Sequence, residues 1–294
     1  MHESARIQYD MLARIGDAGI NAALIAQLDA KLADTAPNTD QRQMRANLLR
    51  RSGDIDATRD AYRTLVPGAM EAHPQLTIPP GLTSKDGQRI APLIVIDDLL
   101  PAAAMEALYR HACDIADRFR HARLSSGENL YDPDKRETLL TWEFEVLRQH
   151  FLDYVADNLY GFQDALELPR FTVERSEIKL TNHLEGGFFN THRDNHGSGR
   201  EAGRALTWLY YFSATPPRFA GGELFILDSD PANAGCSDSF FTKVEPRANR
   251  FVAFPSWFYH AVGPTHVPGN AFADGRFAVS GHLHKPADTL DWPW

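Results

Sequence analysis

Two histidines and an aspartate are the residues of this chain whose types and spacing could bind a metal ion. His192 and Asp194 lie two residues apart in Thr-His-Arg-Asp, and His260 follows later in the chain. Side chains two residues apart on an extended segment point to the same side, so His192 and Asp194 could reach one point together. Two imidazoles and a carboxylate occupy one face of an octahedron and leave other positions open, which suits iron(II). Zinc accepts the same ligand types, so a zinc hydrolase or isomerase stays open here.

The surroundings of these residues make the pattern more specific than the His-x-Asp spacing alone. With 12 histidines and 39 acidic residues in the chain, chance pairs of this kind are expected. Here the pair follows a Gly-Gly-Phe-Phe turn, and His260 follows a Phe-Pro-Ser-Trp turn. Arg276 comes next, on the last predicted strand, and a guanidinium inside a pocket needs a carboxylate or phosphate partner. The residues therefore predict a metal site with an anion-binding arginine.

Five segments between residues 92 and 285 together resemble one known family. They are GGFFNTHRDN, RALTWLYYFS, FAGGELFI, EPRANRFVAFPSWFYHAV and GRFAVSGHL. The chain resembles the 2-oxoglutarate/Fe(II)-dependent dioxygenase superfamily, in particular its prolyl-4-hydroxylase-like branch. The resemblance implies Fe(II) as the cofactor, with 2-oxoglutarate and O2 as co-substrates, in a double-stranded β-helix. It implies that His192, Asp194 and His260 bind the iron and that Arg276 pairs with the distal carboxylate of 2-oxoglutarate.

Two further residues match family positions that help to bind the co-substrate. Tyr211 corresponds to a strand tyrosine whose hydroxyl helps to hold the distal carboxylate, and a core aromatic residue is the alternative interpretation. Ser280 lies four residues after Arg276 on the same strand face, where the family often has a hydroxyl residue; the alternative is a filler. The family also often has a tyrosine nine or ten residues before the first histidine, and His183 and Asn182 stand there instead.

The resemblance implies hydroxylation of an unactivated C–H bond, and the leading substrate class is an amino acid or a peptidyl side chain. The carboxylate of Asp194 favours hydroxylation, because iron halogenases of this superfamily have a small residue at that position. A small natural-product scaffold is the alternative substrate. A non-catalytic β-helix that binds a partner through N-terminal helices is an alternative of another class, and the intact metal and arginine pattern argues against it.

The second half of the chain supplies the strands that must position these residues. Short apolar or alternating runs, separated by Gly, Pro, Asn and Asp clusters, occur at 171–180, 205–213, 222–228, 240–246, 250–256 and 276–283. Strands at this spacing predict an antiparallel sandwich or barrel, and helices ahead of such a sheet pack on its outer face. The predicted fold class is α+β, with a double-stranded β-helix (jelly-roll) core, flanking helices and an N-terminal helical subdomain.

Three regions are predicted along the chain. Residues 1–66 carry apolar residues at helical spacings, interrupted at Gly16 and Gly19, and form a helical N-terminal region. Residues 67–90 are rich in proline and glycine and predict a linker. Residues 91–294 form the predicted dioxygenase domain.

Two helices and a polar segment are predicted early in the dioxygenase domain. The helices run from Pro101 to about Phe119 and from about Leu140 to Leu159. The polar segment 121–138 between them could form a loop or a lid over the substrate.

Composition limits the partners and the location. The formal net charge of −9 disfavours non-specific attraction to nucleic acid or anionic membranes. The N-terminus lacks a signal-peptide pattern, and no stretch of about 18 apolar residues could span a membrane. The two cysteines, Cys113 and Cys236, are predicted to be free thiols. We therefore expect a cytoplasmic enzyme that acts on a small molecule or peptide and that could form a homodimer through its N-terminal helices.

Overall fold

The computed structural model describes residues 3–32, 38–123, 131–196, 200–230 and 233–286. The helices in these ranges are α1 (Glu3–Ile15), α2 (Ala18–Leu32), α3 (Thr39–Ser52), α4 (Ile55–Leu65), α5 (Pro67–Ala72), α6 (Ala102–Asp114), α7 (Arg148–Asp157) and α8 (Leu159–Ala165). The strands are β1 (Leu76–Ile78), β2 (Leu93–Asp97), β3 (Arg120–His121), β4 (Arg136–Glu137), β5 (Leu139–Thr141), β6 (Arg175–His183), β7 (Phe188–His192), β8 (Arg204–Phe212), β9 (Ala220–Gly221), β10 (Leu224–Asp230), β11 (Gly235–Val244), β12 (Arg250–Pro255), β13 (His260–Val262), β14 (Thr265–His266) and β15 (Arg276–His284).

Two antiparallel sheets form the body of the protein. The larger sheet has the strand order β1-β2-β12-β8-β15-β6-β5-β3, and the smaller sheet has the order β11-β10-β13-β7-β4. From β6 onward the chain passes repeatedly between them, because β6, β8, β12 and β15 belong to the larger sheet and β7, β10, β11 and β13 to the smaller. Side chains from both sheets line one cavity of about 850 Å³. The mixed α and β architecture with large antiparallel sheets agrees with the sequence prediction.

The outer face of the larger sheet is covered by aromatic packing against helices. Phe151 of α7 lies 6.0 Å from Trp208 between ring centroids, and Tyr154 of the same helix lies 5.4 Å from Phe251. Burial of such rings removes a large apolar area from water and stabilises the layer. Gly281 on β15 faces the same layer, and a Cβ there would approach the Trp208 ring to 2.2 Å. The glycine therefore gives the indole room against the sheet.

The N-terminal helices pack on the smaller sheet. Tyr9 and Leu12 of α1 are buried in a cluster with Phe188, Phe225 and Phe241 from the strands. The first interruption lies where the sequence predicts it, because α1 ends before α2 at residues 16–17, and a turn at residues 53–54 separates α3 from α4. The helices therefore share apolar contacts with the sheet.

A buried ion pair between Arg50 and Asp228 connects α3 with β10. The Nη1 and Nη2 atoms of Arg50 donate to the two carboxylate oxygens of Asp228 at 2.6 Å each, and Arg50 Nε donates to Asn47 at 2.9 Å. Both charged side chains are almost completely inaccessible to solvent. The two-point geometry satisfies the charges in a site from which water is excluded.

Two segments differ from the elements that the sequence predicts. The stretch 67–90, expected to be a linker, contains α5 and β1, and β1 joins the larger sheet because Leu76 and Ile78 are fully buried against β2. The helix expected from residue 140 begins only at Arg148, because residues 139–141 form β5 and pair with β6. In both segments, hydrogen bonds to a strand outside the segment determine the secondary structure.

The expected lid at 121–138 lies partly outside the described residues. Its described ends belong to the sheets: β3 pairs with β5, and β4 pairs with β7. Cys113 and Cys236 are free thiols, as predicted. Among the described residues, no helix has both the length and the apolar character needed to cross a membrane.

Candidate metal centre

His192, Asp194 and His260 come together between the two sheets. His192 ends β7 and lies directly opposite His260, which begins β13. Asp194 follows two residues later, and its backbone N–H donates to the carbonyl oxygen of Ser256 at 3.1 Å. The Nε2 atoms of His192 and His260 lie 3.7 and 3.4 Å from oxygens of the Asp194 carboxylate. One ligand atom from each of the three residues lies within 4.8 Å of the others, which is close enough to hold one metal ion.

Backbone carbonyls fix the orientation of both imidazoles. His192 Nδ1 donates to the carbonyl oxygen of Asn190 at 2.7 Å, and His260 Nδ1 donates to that of Phe258 at 3.0 Å. A carbonyl only accepts hydrogen bonds, so the proton of each neutral ring lies on Nδ1 and the Nε2 lone pair is free. Such second-sphere hydrogen bonds are typical of histidines that bind metals.

The pKa values of Asp194 and His192 are both lower than those of the free side chains, which favours binding of a cation at neutral pH. Burial alone would raise the pKa of Asp194, but the neighbouring imidazoles, His282 and His260 foremost, hold it well below its ordinary value. Burial and the nearby His260 lower the pKa of His192 to about 4. The carboxylate is therefore ionised and the His192 imidazole neutral, which are the protonation states that bind a metal.

Thr207 and His282 surround the carboxylate of Asp194 on the larger sheet. The Thr207 hydroxyl donates to Asp194 Oδ2 at 2.7 Å and lies 2.9 Å from the Ser256 hydroxyl. His282 Nδ1 lies 3.8 Å from the same carboxylate oxygen. His282 lies on the same face of β15 as Arg276, as strand alternation requires, whereas the only sequence signal of Thr207 is a polar side chain inside the apolar run 205–213.

Replacing Thr207 by valine is expected to weaken Fe(II) binding by about 10–100-fold, because a group that orients a ligand is lost. Thr181→Val is the matched control, since Thr181 is an equally buried cavity threonine whose hydroxyl donates only to the backbone of Ala278. The dissociation constant for Fe(II), measured without oxygen, should rise in Thr207→Val and stay near the unaltered value in Thr181→Val. Equal dissociation constants for Fe(II) in both variants would show that Thr207 does not contribute to metal binding.

Arg276 and Tyr211 present unused hydrogen-bonding groups in the same cavity. Arg276 is 1% exposed, and its Nη1 atom lies 3.3 Å from His183 Nδ1. Among the described residues, its Nε and Nη2 atoms and the Tyr211 hydroxyl have no hydrogen-bond partner. The guanidinium carbon lies 4.8 Å from the Tyr211 ring centroid. Buried polar groups are normally satisfied, so an arginine fork and a hydroxyl left open together fit a carboxylate of a bound molecule.

Gly222 and His183 complete the surroundings of Arg276. Gly222 has a φ of +72°, and a Cβ there would lie 2.5 Å from Arg276 Cδ. His183 is held by Thr138, whose hydroxyl lies 3.0 Å from its Nε2. Burial, with the charge of Arg276, lowers the pKa of His183 well below its ordinary value, so this imidazole is neutral. Of the two residues found where the family often has a tyrosine, His183 lines the cavity, whereas Asn182 bonds to the carbonyl of Phe272.

Ser280 also lines the cavity, as the alternation along β15 predicts. It lies on the same face as Arg276 and His282 and opposite Lys179 of β6. The structure thus brings all six residues named from the sequence into one cavity. It adds Arg136 and Lys179, which the sequence did not single out.

Comparison with known proteins points to one family. Residues 178–284 match the family model of the 2OG-Fe(II) oxygenase superfamily. An uncharacterized PKHD-type hydroxylase of Synechocystis sp. is 34% identical over 191 residues, which are 65% of this chain and 62% of that protein. This chain therefore spans about 62% of the length of the curated relative.

Two solved structures are similar at a lower level. A Pseudomonas putida prolyl-4-hydroxylase is 19% identical, with a TM-score of 0.49 over 66% of this chain and 93% of that chain. A Trichoplax adhaerens prolyl hydroxylase, in complex with a hypoxia-inducible-factor peptide fragment, is 17% identical, with a TM-score of 0.49 over 66% and 83%. Likenesses of this size carry no argument about activity.

The matched segment contains the strands β6 to β15 almost completely, and with them the six cavity residues named from the sequence: His192, Asp194, Tyr211, His260, Arg276 and Ser280. Members of this superfamily use Fe(II) and 2-oxoglutarate, and the cluster of His192, Asp194 and His260 could bind the iron. Residues 178–284 of this chain therefore match the 2OG-Fe(II) oxygenase superfamily, and they include the candidate metal cluster.

Proposed function

We propose that the protein is an Fe(II)- and 2-oxoglutarate-dependent dioxygenase that hydroxylates an unactivated C–H bond. The single observation that supports the proposal most strongly is that two binding sites of different chemistry lie in one cavity. One is the cluster of His192, Asp194 and His260, and the other is the buried, open hydrogen-bonding fork of Arg276 beside the Tyr211 hydroxyl. A metal ion alone would explain the first site only.

The roles of the individual residues follow from the chemistry of their atoms. His192 and His260 would hold iron through Nε2 and Asp194 through its carboxylate, which leaves positions for the co-substrates. When bound, the iron with 2-oxoglutarate and O2 supplies the oxidising chemistry. Arg276 would neutralise the distal carboxylate of 2-oxoglutarate, and the Tyr211 hydroxyl would donate a hydrogen bond to the same group.

The rest of the cavity orients these groups and excludes water. Thr207 holds the Asp194 carboxylate in one orientation through its hydroxyl. Ser280 lines the wall between Arg276 and His282, where its hydroxyl can donate to the co-substrate. The buried strand faces around them keep bulk water from the reacting groups, which strengthens every charge interaction inside.

The strand order supports a double-stranded β-helix, because eight of the ten strands from β6 to β15 are divided equally between the two large sheets. We retain the division into a helical N-terminal region at 1–66, a connecting stretch at 67–90 and a dioxygenase domain at 91–294 as a proposal. The helices of the first region share buried contacts with the smaller sheet. They would then act as a fixed part of the scaffold.

For the substrate we propose an amino acid or a peptidyl side chain. The similar Synechocystis protein is described as an uncharacterized PKHD-type hydroxylase, which supports a hydroxylase substrate of this kind. A zinc hydrolase would leave Arg276 and Tyr211 without a role. A binding module would need neither the three convergent ligand atoms nor the open arginine.

Arg276→Ala tests the co-substrate assignment. Loss of one member of a buried charge pair costs about 2–5 kcal/mol, so the affinity of the Fe(II)-loaded protein for 2-oxoglutarate should fall about 30-fold or more. Calorimetric titration without oxygen measures this affinity directly. Arg218→Ala is the control, because Arg218 is an exposed arginine paired with Asp274. Unchanged affinity in Arg276→Ala would contradict the assignment, whereas equal losses in both variants would indicate a general charge effect.

A further inference from the structure

The cavity is strongly cationic although the protein as a whole is acidic. Nine lysine and arginine side chains line it, against the three carboxylates of Glu177, Asp194 and Glu201. The whole chain has a formal net charge of −9. A surplus of positive charge inside a cleft concentrates anions there.

Some of these cations pair with a carboxylate of the protein, and one is assigned to the carboxylate of the co-substrate. Arg175 and Arg204 form ion pairs with Glu177 at 2.5 and 2.7 Å. Arg276 is assigned to 2-oxoglutarate. Within the described part of the chain, no carboxylate lies within ion-pair distance of Arg136 or Lys179, and the side chains of these two residues make no hydrogen bond.

The ring of Phe189 lies between Arg136 and His192, one of the candidate metal ligands. Arg136 belongs to β4, at the edge of the smaller sheet, and is paired in register with Phe189 of β7. Its guanidinium carbon lies 4.4 Å from the Phe189 ring centroid, and that ring stacks on His192 with centroids 3.5 Å apart. The buried Nε atom of Arg136 has no partner. Burial lowers the pKa of Arg136 to about 10, so it remains cationic at neutral pH.

Lys179 faces the same cavity from the larger sheet. It is 8% exposed and lies opposite Ser280 in the β6–β15 ladder. Its Nζ atom is 5.1 Å from the Trp142 ring centroid. Burial, together with the charges of Arg136 and Arg204, lowers its pKa to about 7. Asp194 and Glu177 partly oppose this shift, but no carboxylate of the described residues forms an ion pair with Lys179, and an ammonium group buried without such a partner gains stability from an anionic ligand.

The position of Lys179 differs from that of the co-substrate arginine. Arg276 is paired in register with His183, which lies four residues from Lys179 along β6. Four residues of a strand span about 13 Å, so the two cations serve different parts of the cavity. Arg136 is on the opposite sheet, beside the ring that packs on His192.

We propose that Arg136 and Lys179 together bind an anionic group, a carboxylate or a phosphate, on the substrate. This inference rests on the proposed function and narrows its substrate class to anionic molecules. The anionic group would be held from both sheets, and the reacting C–H bond would point from there towards His192, Asp194 and His260. A free amino acid or another small carboxylate meets this requirement.

Calorimetry with small anions tests the subsite. Protein loaded with Fe(II) and saturating 2-oxoglutarate, without oxygen, is titrated with inorganic phosphate and separately with acetate, at constant ionic strength set by potassium chloride. We expect at least one anion to bind, and Arg136→Gln and Lys179→Gln each to weaken it by about tenfold or more. The stronger ligand identifies phosphate or carboxylate chemistry. Arg136→Lys, which keeps the charge, should retain most of the affinity.

Arg123, an exposed cation of the same cavity, provides the control. Arg123→Gln removes one exposed cation from the same cavity and should change anion affinity by less than about twofold. Equal effects of Arg136→Gln and Arg123→Gln would overturn the proposal. Anion binding that disappears when 2-oxoglutarate is present would also overturn it, since the anion would then occupy the Arg276 site.

A turnover experiment separates this inference from the proposed function. Succinate release is compared for pairs of compounds that differ only in the anionic group, such as amino acids and their amides, and only the anionic members should stimulate it. Equal stimulation by the neutral members would refute the subsite alone. If the protein binds anions through Arg136 and Lys179 but forms no complex with Fe(II) and 2-oxoglutarate, the subsite stands and the proposed function fails.

Discussion

Replacing Asp194 by alanine should abolish Fe(II)- and 2-oxoglutarate-dependent turnover. Asp194 supplies the one carboxylate of the metal cluster in the described residues, and both Nε2 atoms face it. Loss of a group that merely orients a ligand already costs about 10–100-fold, so loss of the ligand itself should cost more than about 100-fold. Succinate release and Fe(II) binding without oxygen measure the two effects.

The control variant removes one negative charge, as Asp194→Ala does, but at a position outside the cavity. Asp60→Ala removes an exposed aspartate of α4 that pairs with Arg63, and it should behave like the unaltered protein. A melting temperature for each variant shows that both fold. If Asp194→Ala bound Fe(II) with unaltered affinity, the metal would have to lie elsewhere.

Replacing Arg50 by leucine should produce the largest loss of stability among single substitutions of charged residues. The change leaves the Asp228 carboxylate buried without its partner, at a site where both side chains are almost inaccessible to solvent. Breaking a buried pair in this way costs about 3–5 kcal/mol in the free energy of unfolding. Urea denaturation measures that free energy, and the variant should unfold at a clearly lower urea concentration.

Two further variants make this prediction specific. Arg45→Leu lies on the same helix, where the Arg45–Asp29 pair is exposed, and should cost only about 0–1 kcal/mol. The double variant Arg50→Leu/Asp228→Leu removes both charges and should recover much of the loss. If Arg50→Leu were as mild as Arg45→Leu, the ion pair would not be what fixes the N-terminal helices to the sheet.

The metal cluster was predictable because its residue types are unusual together. His192 and Asp194 lie on one side of an extended segment, and His260 begins a neighbouring strand, so alternation and strand pairing bring them to one point. Arg276 was predictable as well, because an arginine that begins a buried strand needs a partner. The structure then shows that, in the part of the chain that it describes, no protein group fills this role for its Nε and Nη2 atoms.

Lys179 was missed because polar residues of a strand are ordinarily assigned to solvent, and Arg136 was missed because it lies in the polar segment 121–138, which was predicted to be a loop or a lid. The alternation in residues 171–180 correctly predicts a strand, with Ile178 and Leu180 in the apolar core. The polar face carrying Glu177 and Lys179, however, lines the cavity instead of the surface. Periodicity distinguishes the two faces of a strand but does not reveal which one is enclosed.

Long-range pairing accounts for the remaining differences. The Arg50–Asp228 pair joins residues 178 positions apart in sequence, and no local pattern connects them. Residues 139–141 extend a helical pattern in the sequence but form β5, because β6 offers an open edge there. Thr207 is similar, since its role depends on Asp194, which a separate loop brings to the strand.

Visible absorption without oxygen shows whether Fe(II) and 2-oxoglutarate bind together in the cavity. The metal-free protein is titrated with Fe(II) and then with 2-oxoglutarate, and the spectrum is recorded after each addition. If the cavity binds both as proposed, a weak charge-transfer band appears only after the second addition. If no such band appears with both present, the metal or the co-substrate is wrongly assigned.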